Sequence, residues 1–152
     1  MVLLAASRVR KVTARLYAAL VATLADLAKE RTDLTADDVE ALQALVADWS
    51  LLSDFSFSDL ILWLPTWNEG GFVAAAAVRP TTGPTQQPHD VVGQFIPKGR
   101  SALLDRALLT RSSIRQRQTW RPLIPTGEEV FPLFRDSRLI AIISRLGSAA
   151  NR

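Results

Sequence analysis

One loop gathers arginine and hydroxyl side chains between two apolar segments. The segment Arg79–Thr85, RPTTGPT, combines a guanidinium, three threonine hydroxyls and the unhindered backbone of Gly83. An arginine fork binds a phosphate or carboxylate through two hydrogen bonds, and hydroxyls add single ones. The loop lacks the GxxxxGK[ST] spacing of a P-loop. We therefore predict that Arg79, Thr81 and Thr82 contact an anionic or nucleotide-like ligand. The alternative is a turn over the sheet edge, with Arg79 paired to a nearby acid.

A second set of basic residues lies in an alternating segment, Ser113–Trp120. On a strand, Arg115 and Arg117 would share one face about 7 Å apart. That spacing suits a cyclic dinucleotide or another phosphate ligand. The alternative is a solvated edge strand whose charges discourage aggregation.

Small side chains in the middle of the chain predict space above a strand. Ala74–Ala77 would leave room for a ligand, or for a closely packed helix. We expect Trp63, Ala75 and Arg115 to border a polar cavity of several hundred Å³ if the chain binds a ligand. A solid core there would argue against ligand binding.

The chain is poorly equipped for catalysis. It has no cysteine, which excludes disulfides, thiolate metal sites and cysteine nucleophiles. Its single histidine, His89, lies beside Asp90 in a Pro-rich loop with no evident oxyanion donors, and one histidine does not make a multi-histidine metal site. We predict no catalytic residue and no metal ligand.

Composition indicates one globular domain. The 152 residues are 48% hydrophobic with a net charge of +3, too small a charge to imply nucleic-acid binding. No run of 18 apolar residues exists, so no membrane span is expected. Residues 1–21 form a basic extension, 22–146 the domain, and 147–152 a tail predicted to be disordered.

Apolar periodicity predicts two helices before a sheet. The first covers Val12–Leu27, and Thr32–Thr35 interrupts it. Thr35 then caps a helix with Asp38 at its third position, and the apolar spacing continues to Leu52.

The rest of the chain predicts a mostly antiparallel α+β fold of five or six strands, with helices on one face and a pocket on the other. Leu60–Leu64 and Phe72–Val78 form a central hairpin, and Ser101 caps a helix over Ala102–Leu109. Four further strands are predicted: Val91–Ile96, Ser113–Trp120, Glu129–Arg135 and Arg138–Arg145. Pro132 should lie at a bulge or a free edge.

Two segments resemble a known family. The closing EEVFPLFRDSRLIAIISR is similar to the end of GAF domains, and LLSDFSFSDLILWLP followed by VRPTTGPT resembles the N-terminal sensor domain of PdtaS-like actinobacterial sensor histidine kinases. The resemblance covers roughly Ala22–Arg145. It implies a GAF-like (profilin-like) fold and a cytoplasmic sensor of a two-component system.

The resemblance also implies partners for a longer parent protein. These are a second copy, joined through flanking helices, and a response regulator with an RNA-binding ANTAR domain. No segment resembles a PAS or kinase domain, so we expect no enzymatic activity and no cofactor here; ATP and Mg²⁺ belong to the parent's kinase domain. The leading hypothesis is ligand sensing that regulates autophosphorylation, and the alternative is a ligand-free dimerisation or interaction module. A third hypothesis is that the chain is a GAF-fold free methionine sulfoxide reductase. It fails because that chemistry runs through cysteine thiolates and this chain has no cysteine.

Overall fold

The computed structural model describes residues 23–81, 91–118 and 126–148, without the side chains at 117, 118, 126 and 148. Helix α1 covers residues 23–31. The other helices are α2 (Ala36–Val46), α3 (Trp49–Ser56) and α4 (Ala102–Thr110). The strands are β1 (Ser58–Pro65), β2 (Gly71–Val78), β3 (Phe95–Pro97), β4 (Ile114–Gln118), β5 (Thr126–Arg135) and β6 (Arg138–Ser148).

The predicted start of α2 is confirmed. The Thr35 side chain accepts from the Asp38 backbone N–H at 3.2 Å, and the Thr35 N–H donates to the Asp38 carboxylate at 3.0 Å. This reciprocal capping box satisfies two backbone N–H groups at the start of the helix, those of Thr35 and Asp38. The interruption of the helix before Thr35 is also confirmed, because α1 ends at residue 31.

The prediction of one helix from Thr35 to Leu52 is wrong. The chain leaves the helix at Ala47–Asp48, and α3 begins at Trp49. The new helix buries Trp49 and Ser53, whereas Leu52 is 49% exposed. Periodicity follows one axis only, so it does not detect a change of helix direction that keeps Trp49 in the core.

The sheet has six strands in the order β3-β2-β1-β6-β5-β4, and every neighbouring pair is antiparallel. The predicted central hairpin is confirmed, with β1 and β2 buried over most of their lengths. The edge position predicted for β4 is confirmed as well. β3 is shorter than the predicted Val91–Ile96 and begins only at Phe95.

Pro132, which has no backbone N–H, lies where β5 has no hydrogen-bonded neighbour in β4. The β4–β5 ladder runs from Thr126 to Val130 on β5, so Pro132 lies beyond its end. A register shift follows between Leu133 and Phe134 in the β5–β6 ladder. The expected free-edge position is therefore confirmed.

Helices cover both faces of the sheet, in contrast to the prediction of one helical face. The first core cluster joins α1, α2 and α3 to one face, through residues such as Leu24, Leu42, Trp49 and Leu62. The second joins α4 to the other face, where Leu104 packs among side chains of β1, β2, β5 and β6. A strand buried on both faces is apolar at every position, which explains the continuous run in β1.

The β1–β2 connection places two glycines in different environments. Asn68 and Glu69 adopt positive φ, whereas Gly70 has φ −70°. Gly71 has φ +151°, and a Cβ there would lie 2.1 Å from the Ile96 carbonyl oxygen on β3. The absence of a side chain at Gly71 thus allows β2 and β3 to approach.

Replacement of Gly71 by alanine should therefore destabilise the domain strongly. We expect Gly71→Ala to lower the free energy of unfolding by about 3 kcal/mol or more, because the clash is with backbone that cannot rotate away. Gly70→Ala is the matched control; its Cβ would lie 3.2 Å from the Trp67 carbonyl oxygen, a contact that small shifts relieve. Urea unfolding of both variants measures the difference, and equal losses would contradict the assignment.

Candidate functional site

A pocket of about 380 Å³ opens at the end of the sheet where β1 stops and β2 and β6 begin. We call it the sheet-end pocket. Its apolar lining comes from Leu34, Pro65, Phe72, Leu108 and Leu139. Its polar lining comes from Asp33, Thr66, Asn68, Glu69, Lys98, Asp105 and Arg138. Its size and mixed lining are those of small-molecule sites.

Several charges around the sheet-end pocket already have partners. Lys98 lies 3.2 Å from Glu69, and both side chains are largely exposed. Such a pair contributes little stability, so a ligand can replace it at low cost. The Gly99 N–H donates to the Asp105 carboxylate at 3.0 Å, which fixes the loop before α4.

Arg138 joins the pocket to the helical layer. Its guanidinium donates to the Asp38 carboxylate, and Arg135 lies 3.8 Å from the other carboxylate oxygen. Burial works to raise the pKa of Asp38, but the Thr35 hydrogen bonds and Arg138 hold that pKa below its ordinary value of 3.8. The carboxylate is therefore charged at neutral pH and fastens α2 to the β5–β6 hairpin.

The predicted ligand loop begins at the opposite end of the sheet. Arg79 is exposed and follows the end of β2, a strand of eight residues that spans about 25 Å. The Thr81 N–H and hydroxyl both donate to the Asp54 carboxylate of α3, at 2.6 and 2.9 Å. The nearby acid thus binds Thr81 rather than Arg79. Thr82 and His89 lie outside the described residues.

Trp63 and Ala75 do not border one cavity. Trp63 belongs to the core cluster under α4, whereas Ala75 belongs to the cluster under the first three helices. Both side chains are buried, and the Trp63 indole N–H donates to the Ser144 hydroxyl at 3.0 Å. The prediction that Trp63 and Ala75 border one cavity is wrong, because side chains alternate between the two faces of β1 and β2 and these two face opposite sides of the sheet. The alternative for the alanine run, close packing, is what the structure has at Ala75.

Arg115 takes part in a ladder of charges across three strands. Glu129 of β5 accepts from Arg115 of β4 and from Arg145 of β6, each at 2.9 Å. The three residues are direct neighbours in the sheet register. Arg115 keeps about half of its surface exposed, so it retains donors for a further anion. The side chain of Arg117 is not among those described.

Sequence reasoning missed a second acid on β5. Burial raises the pKa of Glu128 above its ordinary value of 4.5, and a hydrogen bond with Ser144 opposes that rise. Ser144 therefore connects Glu128 to Trp63. The signal in the sequence was the adjacent pair of glutamates, one of which must face each side of a strand.

Comparison with known proteins decides the family. The family model described as the GAF domain of histidine kinase PdtaS matches residues 24–152. The chain belongs to this GAF family. The resemblance drawn from the sequence is thereby confirmed, and so is the α+β GAF-type fold.

Relatives and a solved structure agree with the PdtaS GAF assignment. The sensor histidine kinase PdtaS of Mycolicibacterium smegmatis is 29% identical over 136 residues, which cover 87% of this chain and 27% of that protein. PdtaS of Mycobacterium tuberculosis is 41% identical over 76 residues, 50% of this chain and 15% of its own length. A solved sensor region of a sensor histidine kinase has a TM-score of 0.65 at 28% identity, covering 81% of this chain and 41% of that one. The chain thus spans about a quarter or less of these PdtaS proteins.

Among the described residues, no helix has the length and hydrophobicity required to cross a membrane.

The Asp38 contact predicts a pH-dependent stability. Asp38→Asn should lower the free energy of unfolding by about 2 kcal/mol at neutral pH, since it removes a buried charge that two arginines and the cap surround. Because the pKa of Asp38 is lowered on folding, its contribution is present above 3.8 and is lost as the pH falls through the folded value. The difference between wild type and variant should therefore shrink in acid.

Urea unfolding along a pH series measures this difference. Asp37→Asn is the matched control, because Asp37 is an exposed acid in the same helical turn. A gap between Asp38→Asn and wild type that stays constant down to about pH 3 would contradict the assignment.

Proposed function

We propose that this chain is the sensor domain of a two-component sensor histidine kinase and that a small ligand in the sheet-end pocket regulates autophosphorylation of the parent protein. Membership of the PdtaS GAF family supports the kinase setting. One observation supports the ligand role: the pocket is lined both by the α1–α2 loop, at Asp33 and Leu34, and by α4, at Asp105 and Leu108.

A ligand at that position would contact the elements on both faces of the sheet. Arg138 lines the pocket and also binds Asp38 in α2. A ligand with different affinities for two packings of α2 on the sheet would shift the population between them. That shift is the signal we propose for transmission to the kinase domain.

The parent protein would act in the cytoplasm as a homodimer, with ATP and Mg²⁺ in its kinase domain. Its phosphoryl acceptor would be a response regulator of ANTAR type. These statements rest on the resemblance to PdtaS-like kinases. The ligand class we favour is a nucleotide or cyclic dinucleotide, on the basis of the two cationic side chains in the pocket lining, Lys98 and Arg138, which are 57% and 47% exposed.

A second candidate is a ligand-free dimerisation or interaction module. The packed environments of Trp63 and Ala75 favour it, because no open cavity separates these side chains from their neighbours. The exposed apolar side chains of α3 favour it as well. This candidate predicts no response to any ligand.

A thermal-shift screen with nucleotides and cyclic dinucleotides separates the two candidates. A ligand at a hundredfold excess over its Kd should raise the melting temperature by about 5–10 °C. Lys98→Ala should abolish the shift if the ligand occupies the sheet-end pocket, whereas Arg79→Ala or Arg115→Ala should abolish it if the ligand occupies the sites predicted from sequence. Arg106→Ala, an exposed base outside the pocket lining, is the control. No shift with any compound would favour the interaction module.

A chimaera tests the regulatory part of the proposal. This chain would replace the matching segment of Mycolicibacterium smegmatis PdtaS, and autophosphorylation with labelled ATP would be measured. We expect Asp38→Asn in the chimaera to change the rate at least roughly twofold, because it loosens α2 from the hairpin. Asp37→Asn again serves as control. Equal rates for the intact chimaera, Asp38→Asn and a kinase lacking the segment would refute a regulatory role.

A further inference from the structure

Two arginines lie opposite each other at the turn of the β5–β6 hairpin. Arg135 and Arg138 are register partners in that ladder, and their side chains are 42% and 47% exposed. Like charges at opposite positions of an antiparallel pair destabilise it. Asp38 of α2 offsets that repulsion, since Arg138 donates to one carboxylate oxygen and Arg135 lies 3.8 Å from the other. We call these three residues the Asp38 cluster.

The Asp38 cluster contains more positive than negative charge. Two guanidiniums share one carboxylate, so the cluster has a net charge of +1. The Asp38 side chain is only 2% exposed and also accepts from the Thr35 N–H. The positive charge in excess therefore lies on the exposed arginines. Of the two, Arg138 lines the sheet-end pocket and Arg135 does not.

Arg138 keeps hydrogen-bond donors for a ligand. A guanidinium has five N–H groups in a fixed fork, and the contact with Asp38 is made by Nη2. The helix cap holds Asp38 in place, so the carboxylate fixes one side of the guanidinium while the rest of the fork faces outward. A lysine ammonium is a point charge on a flexible stem and would not connect two anions in this fixed way.

We propose that Asp38 is a positioning residue for the sheet-end pocket: it holds Arg138 so that the guanidinium binds one anionic group of the ligand, and the bound anion fastens α2 to the β5–β6 hairpin. This inference rests on the ligand role proposed for the pocket, and it adds the direction of the signal. The ligand anion, Arg138, Asp38 and Arg135 would alternate in sign, which neutralises the cluster when the anion carries a single charge. By reciprocity, the free energy that Asp38 adds to ligand binding is also added by the ligand to the contact between α2 and the hairpin.

The acids of the pocket lining restrict the rest of the ligand. Asp33 and Asp105 line the pocket, and so does Glu69, which pairs with Lys98. These carboxylates would repel a compound that is negative along its whole length. The ligand should therefore place an anionic group at Arg138 and hydrogen-bond donors elsewhere. A nucleotide whose base carries an amino group meets this description, whereas a polyphosphate does not.

Titration with inorganic phosphate, followed by amide chemical shifts in NMR spectra, tests the positioning role. We expect Asp38→Asn to weaken phosphate binding roughly tenfold, although it removes a negative charge, because Arg138 loses its anchor. Asp37→Asn is the matched control, since it removes an exposed acid from the same helical turn. Electrostatics alone should leave the affinity of this control unchanged or slightly higher. An affinity of Asp38→Asn equal to or above that of wild type would overturn the proposal, because Asp38 would then compete with phosphate for Arg138.

A pair of variants that conserve charge decides the matter if Asp38→Asn does not fold. Arg138→Lys keeps the charge of the pocket but removes the fork, and it should weaken phosphate binding roughly tenfold. Arg135→Lys makes the same exchange beside the same carboxylate but outside the pocket lining, and it should change the affinity less than about twofold. Thermal melts would verify that both variants fold. Equal phosphate affinities of the two lysine variants would overturn the proposal.

Amide hydrogen exchange tests the direction of the effect. Saturating phosphate should slow exchange in α2 at least roughly threefold more than in β4, which contributes no residue to the pocket lining. Faster exchange in α2, or equal changes in both elements, would contradict the fastening of α2. Absence of phosphate binding to the wild type would overturn the inference alone, because a nucleotide that raises the melting temperature would still support the proposed function.

Discussion

The pairing of the first strand with the last is the constraint on which the whole domain depends. β6 lies between β1 and β5, and its ladder with β1 runs from Ser58 opposite Gly147 to Trp63 opposite Ile142. This ladder is the junction between β3-β2-β1 and β6-β5-β4, so both core clusters remain incomplete until it forms. The approach is close at Gly147, where a Cβ would lie 2.5 Å from the Ser58 hydroxyl. Contacts between residues so distant in sequence raise the contact order, which slows folding.

Polar contacts also join the layer of α2 and α3 to the two strands of this junction, β1 and β6. Ser53 of α3 donates to the Ser58 carbonyl at 2.7 Å, which fixes the helix to the start of β1. At the opposite end of the sheet, Asp38 binds Arg138 at the start of β6. The helical layer is thus attached to the sheet at both ends, by a neutral hydrogen bond at one and by a charged pair at the other. The charged pair borders the sheet-end pocket, so a ligand there would act on the attachment that is more sensitive to its electrostatic surroundings.

Helices and strands were easier to predict from the sequence than the register of neighbouring strands and the face of the sheet on which each side chain lies. The capping box at Thr35, the strand Leu60–Leu64 and the final hairpin each carry a local signature, and each is present. The charge ladder at Glu129 carries none. A regular hairpin around Asp136–Ser137 would place Arg145 opposite Glu128, but the register shift between Leu133 and Phe134 brings it opposite Glu129. One bulged residue thereby decides which glutamate is paired and which is buried, and that choice depends on packing distant in sequence.

The site residues were hardest to predict for the same reason. Trp63 and Ala75 both lie in the central hairpin, yet the shift between Leu62 and Trp63 changes the β1–β2 register within that hairpin. Composition alone does not reveal that their side chains face opposite layers. The sheet-end pocket draws its lining from five separate parts of the chain, so no single stretch identifies it. β1 spans the distance from α3 to this pocket, about 25 Å. Because α2 and α3 share one buried cluster, a change in the packing of α2 at the pocket would reach α3 through that cluster.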